Sequence, residues 1–172
     1  MGLNPTKVTN RSMTEMIQVT GKLVYDPARD VSVTNEAVKF KKVHKQRTLV
    51  VELPWSQLHL YYQWFLRKNF GSWFELQPPM YGLHVTVVKG NEHINPKFMK
   101  FWKKYDGQEI EISYDPSKIE CHWKFWSIDV VSPRLFEIRK ELGLNDFHRM
   151  HITIGRQYDW QPLINLPQLS NI

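Results

Sequence analysis

The chain has 172 residues, 42% of them hydrophobic and 23% charged, with a formal net charge of +6. That length suits one domain with a sizeable core, and the composition is ordinary for a soluble globular protein. No run approaches the roughly 18 consecutive apolar residues of a membrane span. The lone cysteine, Cys121, precludes an internal disulfide and suits a reducing compartment, read as the cytoplasm.

Residues 1–19 are polar and aperiodic and read as a flexible arm, leaving one domain over 20–172. Gly21 to Pro27 reads as a short strand ended by a turn, and 28–46 as a polar excursion with a basic cluster. Thr48 to Leu53 is β-branched, compact and bounded by Pro54, the pattern of a strand. A helix follows to Gly71, with Trp55, Leu58, Tyr61, Tyr62, Phe65 and Leu66 at helical spacing and expected inward. The spacing predicts a second helix over 96–104, a strand over 108–114 and a turn at Asp115-Pro116-Ser117. One long or two short strands are expected over 118–131, with Trp123, Phe125, Ser127 and Asp129 opposing Lys124, Trp126, Ile128 and Val130. Ser132-Pro133 opens a further helix and Gly143 closes it. The absence of a regular strand–helix alternation points to an α+β fold with antiparallel sheet.

Two short strands spell nearly the same thing: His84-Val85-Thr86-Val87 and His151-Ile152-Thr153-Ile154. Side chains alternate along a strand, so each can bury its aliphatic pair and present an imidazole and a hydroxyl on the other face. Of the seven histidines, these two alone fit the pattern. Each strand is followed by glycine and a cation, Lys89-Gly90 in one and Gly155-Arg156 in the other, so the halves read as distant copies of one unit. Imidazole titrates near neutrality, so a pair can divide the roles of base and acid at a phosphodiester. The threonine hydroxyls can donate to the non-bridging oxygens. No metal or cofactor is called for: the sequence has no His-Glu-x-x-His and no cysteine pair. The positive charge and the 13% aromatic content favour nucleotides or RNA as partner.

At His84, Thr86, His151 and Thr153 the sequence resembles the 2H phosphoesterase superfamily, defined by two His-x-[Thr/Ser]-x motifs. The resemblance implies two pseudo-symmetric lobes with antiparallel sheets around a central cleft, with His84 and His151 as acid and base and Thr86 and Thr153 as phosphate ligands. Gly21–Pro27, Pro79–Gly90 and His151–Arg156 look like segments of a T4-like phage branch that includes the anti-CBASS nucleases, once described as Swiss-army-knife RNA-repair-like. That branch implies hydrolysis of 3′–5′ bonds in cyclic di- and trinucleotide messengers such as cyclic GMP–AMP, in a host bacterial cytoplasm and without a membrane. Tyr25 and Trp160 are then the candidates for base stacking, and Lys89 and Arg156 for phosphate contacts. Two other functions are weighed: an RNA-processing 2H enzyme acting on 2′,3′-cyclic phosphate ends or 2′–5′ linkages, which would use the same four residues, and a non-enzymatic module that binds nucleotides or RNA through the basic charge and the aromatics.

Overall fold

The computed structural model describes residues 15–27, 47–54, 56–79, 82–146 and 148–159. Most of the N-terminal arm, the 28–46 excursion and the tail with Trp160 lie outside the described residues. The elements are β1 (Ile17–Tyr25), β2 (Leu49–Glu52), α1 (Ser56–Phe70), β3 (Leu76–Gln77), β4 (His84–Val88), a 3-10 helix (Pro96–Phe101), β5 (Glu109–His122), β6 (Phe125–Val131), α2 (Pro133–Glu141) and β7 (His151–Gln157). The fold is α+β.

All strand pairs are antiparallel. The order is β3-β7-β4-β2-β1-β5-β6, and β6 pairs back onto β7, so six strands close into a barrel. Closure leaves those strands no open edge to recruit a foreign strand. The seventh, β3, continues the edge of β7 beyond β4.

Cross-strand register sorts the side chains into two faces. Leu23 pairs with Val51, Val51 with Val85, Val85 with Ile152, Ile152 with Ile128, and Ile128 with Ile119. All six are buried. They share one core with Tyr62 and Leu66 of α1 and Leu135 and Ile138 of α2, so the helices cover this apolar face. The alternate residues form the opposite, polar face.

The two halves repeat each other in order and in register. Each runs through a hairpin, a helix and a His strand: β1-β2-α1-β4, with β3 inserted before β4, and β5-β6-α2-β7. Glu52 lies opposite His84 as Asp129 lies opposite His151, and Val50 opposite Thr86 as Ser127 opposite Thr153. Each ladder then slips by one residue at the same place. Leu49 pairs with Val88 and Trp126 with Gly155, leaving Val87 and Ile154 as the bulged residues. Such a bulge swaps the faces of the residues beyond it.

Several local expectations are corrected. The strand expected from Gly21 begins at Ile17, inside the supposed arm, because Gln18 and Val19 pair with Ser113 and Ile112. The helix expected over 96–104 is a short 3-10 turn with no buried residue, capped by Asn95 accepting from the Lys97 N–H. The turn at Asp115–Ser117 is an irregularity within β5, which runs through it and shifts register between Tyr114 and Ile119. In α1 the buried pair is Tyr62 and Leu66, whereas Tyr61 and Trp64 are exposed. Of the expected faces, Trp126, Ile128 and Val130 are buried opposite Phe125, Ser127 and Asp129, whereas Trp123 and Lys124 form the turn between β5 and β6.

Candidate active site

The two His strands meet at one ladder pair, Val85 opposite Ile152. Antiparallel register counts in opposite directions, so one step either side sets His84 against Thr153 and Thr86 against His151. Directly opposed residues hold their Cβ atoms about 4.5–5.5 Å apart where the ladder is kept. All four residues flank that ladder pair on the polar face, each half-buried.

The rings are held alike. His84 Nδ1 lies 3.0 Å from the Gly82 carbonyl and His151 Nδ1 lies 3.3 Å from the Arg149 carbonyl, each two residues upstream. A carbonyl can only accept, so Nδ1 carries the proton in both rings, and Nε2 is the nitrogen that accepts or returns one. Burial holds the His151 imidazole below its ordinary pKa, and the Arg149 charge adds to this against the opposing pull of the Arg149 carbonyl and Asp129. Arg149 itself is gripped by Asp129, 2.6 Å from its Nε, and by Glu120.

The bulges explain the cations. With Val87 and Val88 both buried, Lys89 returns to the polar face; with Ile154 and Gly155 both buried, Arg156 does the same. The two are equivalents (156 − 89 = 151 − 84), so each half reads His-x-Thr-x-x-cation. Arg156 is anchored 2.7 Å from Asp159 and lies over the Phe125 ring. Gly155 is required by close approach: a Cβ there would sit 2.9 Å from the Gln77 carbonyl and 3.1 Å from Leu76 Cβ. Gly155→Val is expected to cost about 1–3 kcal/mol through overpacking, read as a lowered midpoint in urea.

The helices hold the bulges crosswise. Arg139 of α2 donates to the Val87 carbonyl at 2.6 Å, and His59 of α1 donates through Nδ1 to the Ile154 carbonyl at 2.8 Å. Each half thus fixes the other half's His strand. Arg139 is fully buried and also makes a two-point ion pair with Glu92, at 3.0 and 2.7 Å, and donates to the Asn145 carbonyl.

A cavity of about 540 Å³ is lined by Lys89, His122, Phe125, Ser127, His148, Arg149, His151 and Thr153. It takes in the second His–Thr couple, while His84 and Thr86 lie outside its lining. The flanks of the halves also differ: Val50 stands opposite Thr86, where Ser127 stands opposite Thr153. Sequence reasoning missed His148, whose Nε2–H donates to the Thr86 carbonyl at 2.8 Å and ties the loop before β7 to the first His strand. It also missed Ser127, Phe125 and Arg149. The two-residue alternation across β6 was the signal for Ser127 and Phe125; nothing local marked His148.

Of the expected binding residues, Lys89 and Arg156 belong to this face, and Trp160 lies outside the described residues. Tyr25 is not brought to the site. It shares the apolar face with Leu23, is 5% exposed and packs edge-on against Trp102 at 4.9 Å. Burial pushes its phenol up to about 12. The described residues contain no cluster of three or more metal-ligating side chains and no helix long and apolar enough to cross a membrane. No protein-family model, no curated protein and no solved structure matches the chain.

Proposed function

We propose that the chain is a 2H-type phosphodiesterase, its halves forming two pseudo-symmetric lobes around the polar face, and that it opens the 3′–5′ bonds of cyclic di- and trinucleotides in the manner of the phage anti-CBASS nucleases. The observation that carries the reading is the ladder pair Val85–Ile152, which sets the two His strands side by side at the meeting point of two halves that repeat each other down to the bulge.

In this mechanism His151, held neutral by burial, takes the proton of a ribose 2′-hydroxyl through Nε2. The 2′-oxygen attacks the adjacent 3′-phosphorus, and the bond from phosphorus to O5′ breaks. His84, as imidazolium, gives its Nε2 proton to O5′, leaving a 2′,3′-cyclic phosphate and a free 5′-hydroxyl. Water then reverses the roles: His84 takes its proton, and His151 returns one to O2′. Thr86 and Thr153 donate to the non-bridging oxygens as charge gathers there. Lys89 and Arg156 add positive charge for the phosphates.

The test is a panel of cyclic dinucleotides, 2′,3′-cyclic phosphate RNA ends and 2′–5′ linked oligonucleotides, incubated in EDTA and read by mass spectrometry. Ring opening of the cyclic dinucleotides is expected. A preference for RNA ends would move the chain to the RNA-processing branch of the superfamily, and unaltered ligands throughout would remove the enzyme reading.

The pH dependence is set by His151. Its pKa is lowered in the folded protein, so it stays neutral at pH values where an ordinary histidine is half protonated. The acid limb of kcat/KM, which reports the free enzyme, is expected to have its midpoint below the ordinary histidine value of about 6.5. An Arg149→Met variant removes one charge that disfavours the imidazolium and is expected to move that midpoint upward.

A further inference from the structure

We infer that the tip of the β5–β6 hairpin is a nucleobase-stacking rim, with Phe125 as the inner platform and Trp123 as the outer one, and that it binds the base of the nucleotide whose phosphate lies at His151 and Thr153. This rests on the reading of the site as a phosphodiester-binding one and names how the rest of the ligand is held.

Four observations converge. One cavity is lined both by Lys89, His151 and Thr153, groups suited to a phosphate, and by Phe125. Phe125 is 51% exposed and Trp123 is 81% exposed, so neither ring is used by the core. Trp123 also holds a left-handed backbone, φ 60°, where a bulky residue is strained. A glycine would relieve the strain, and a polar residue would relieve the exposure. A large ring kept there against both costs points to contact with a ligand.

The tip is also braced. His122 pairs with Phe125 across the turn, the Lys124 carbonyl accepts from the Gln157 N–H at 2.6 Å, and Cys121 Sγ lies 3.2 Å from the Trp123 carbonyl. The Asp159 carboxylate holds both Lys124 and Arg156 at 2.7 Å, and the Arg156 guanidinium lies 6.0 Å from the Phe125 ring centre. A ring held on a braced hairpin, with the Arg156 guanidinium of β7 over it, loses little freedom when a base stacks on it. Every nucleobase has a π-face, and the adjoining cations suit its phosphate.

The experiment uses the full chain and the double variant Trp123→Ala/Phe125→Ala, whose exposed side chains leave the thermal midpoint little changed. Binding of adenosine 3′-monophosphate and of base-free ribose 5-phosphate is measured by calorimetry, alongside hydrolysis of cyclic di-AMP. The double variant is expected to bind the adenosine nucleotide at least about tenfold more weakly, with ribose 5-phosphate affected less than twofold. KM for cyclic di-AMP should rise with kcat held within about twofold, and Trp123→Phe/Phe125→Tyr should restore both. If the wild type binds the nucleotide through these rings yet cleaves nothing, the rim stands and the hydrolase reading falls. If hydrolysis proceeds and the double variant matches wild type, the rim is overturned alone. Trp123-dependent self-association or vesicle binding without any nucleotide response would overturn it equally.

Discussion

Replacing either His84 or His151 by alanine is expected to reduce cyclic-dinucleotide cleavage by about 10²–10⁴-fold while leaving the fold intact. That range is what one positioned proton-transfer group supplies. Neither ring fills the core: both are half-buried on the polar face, and each is oriented by a backbone carbonyl two residues upstream. The cost therefore falls on the barrier and not on stability. The pair acts as a unit, so the double variant should be little worse than the poorer single variant. Thr86→Val and Thr153→Val each remove one hydroxyl that the proposed mechanism aims at the phosphate oxygens, and are expected to raise the barrier by about 2–4 kcal/mol. Steady-state kinetics with thermal melts as controls checks all of these. Full activity in both histidine variants would remove the mechanism.

The largest expected effect on stability is at Arg139. Its guanidinium is fully buried, pairs with Glu92 at two points and holds the carbonyl of the bulged Val87. Arg139→Met leaves that carbonyl without its donor and the Glu92 carboxylate with only the Lys89 N–H, and breaking such a pair costs about 3–5 kcal/mol. In a chain of this size that lowers Tm by about 6–20 °C. Arg139→Lys keeps the charge but offers one point donor in place of a fork, so it should recover only part of the loss. The pair also predicts acid sensitivity. Burial tends to raise the Glu92 pKa, but the hydrogen bonds from Arg139 and from the Lys89 N–H outweigh it and hold the carboxyl below the usual range. The unfolded chain therefore takes up this proton first as pH falls. The contribution is complete above the ordinary carboxylate pKa and is lost as pH drops through the lower, folded value. Thermal melts between about pH 6 and pH 3 should show it in wild type and far less in Arg139→Met. Because Arg139 braces the strand that bears His84, the variant should also lose activity at temperatures where it remains folded.

Much of this arrangement was legible in the residues. The alternation in His84–Val87 and His151–Ile154 assigned both strands and the face of each side chain, since a strand has only two. β6 was equally readable, because Trp126, Ile128 and Val130 alternate with Phe125, Ser127 and Asp129. The repeat was visible only as a faint echo, for its evidence lies in ladder registers, where Glu52 and Asp129 are equivalents although their surroundings differ in sequence. Barrel closure was not readable at all: the pairing of β6 with β7 spans a helix and depends on global twist. Tyr25 was misplaced because a strand-end aromatic carries no mark of which face it takes; its partner Leu49 decides it. His148 and Arg139 reach the site by contacts to backbone carbonyls more than 50 positions away, Thr86 and Val87, and a backbone carbonyl leaves no trace in the sequence.

The most direct measurement is a crystal structure with a non-hydrolysable phosphorothioate analogue of a cyclic dinucleotide. One phosphorus should lie within hydrogen-bond reach of Nε2 of both His84 and His151, with the hydroxyls of Thr86 and Thr153 on its non-bridging oxygens. A phosphorus served by one couple alone, with the other ring turned into separate surroundings, would contradict the account.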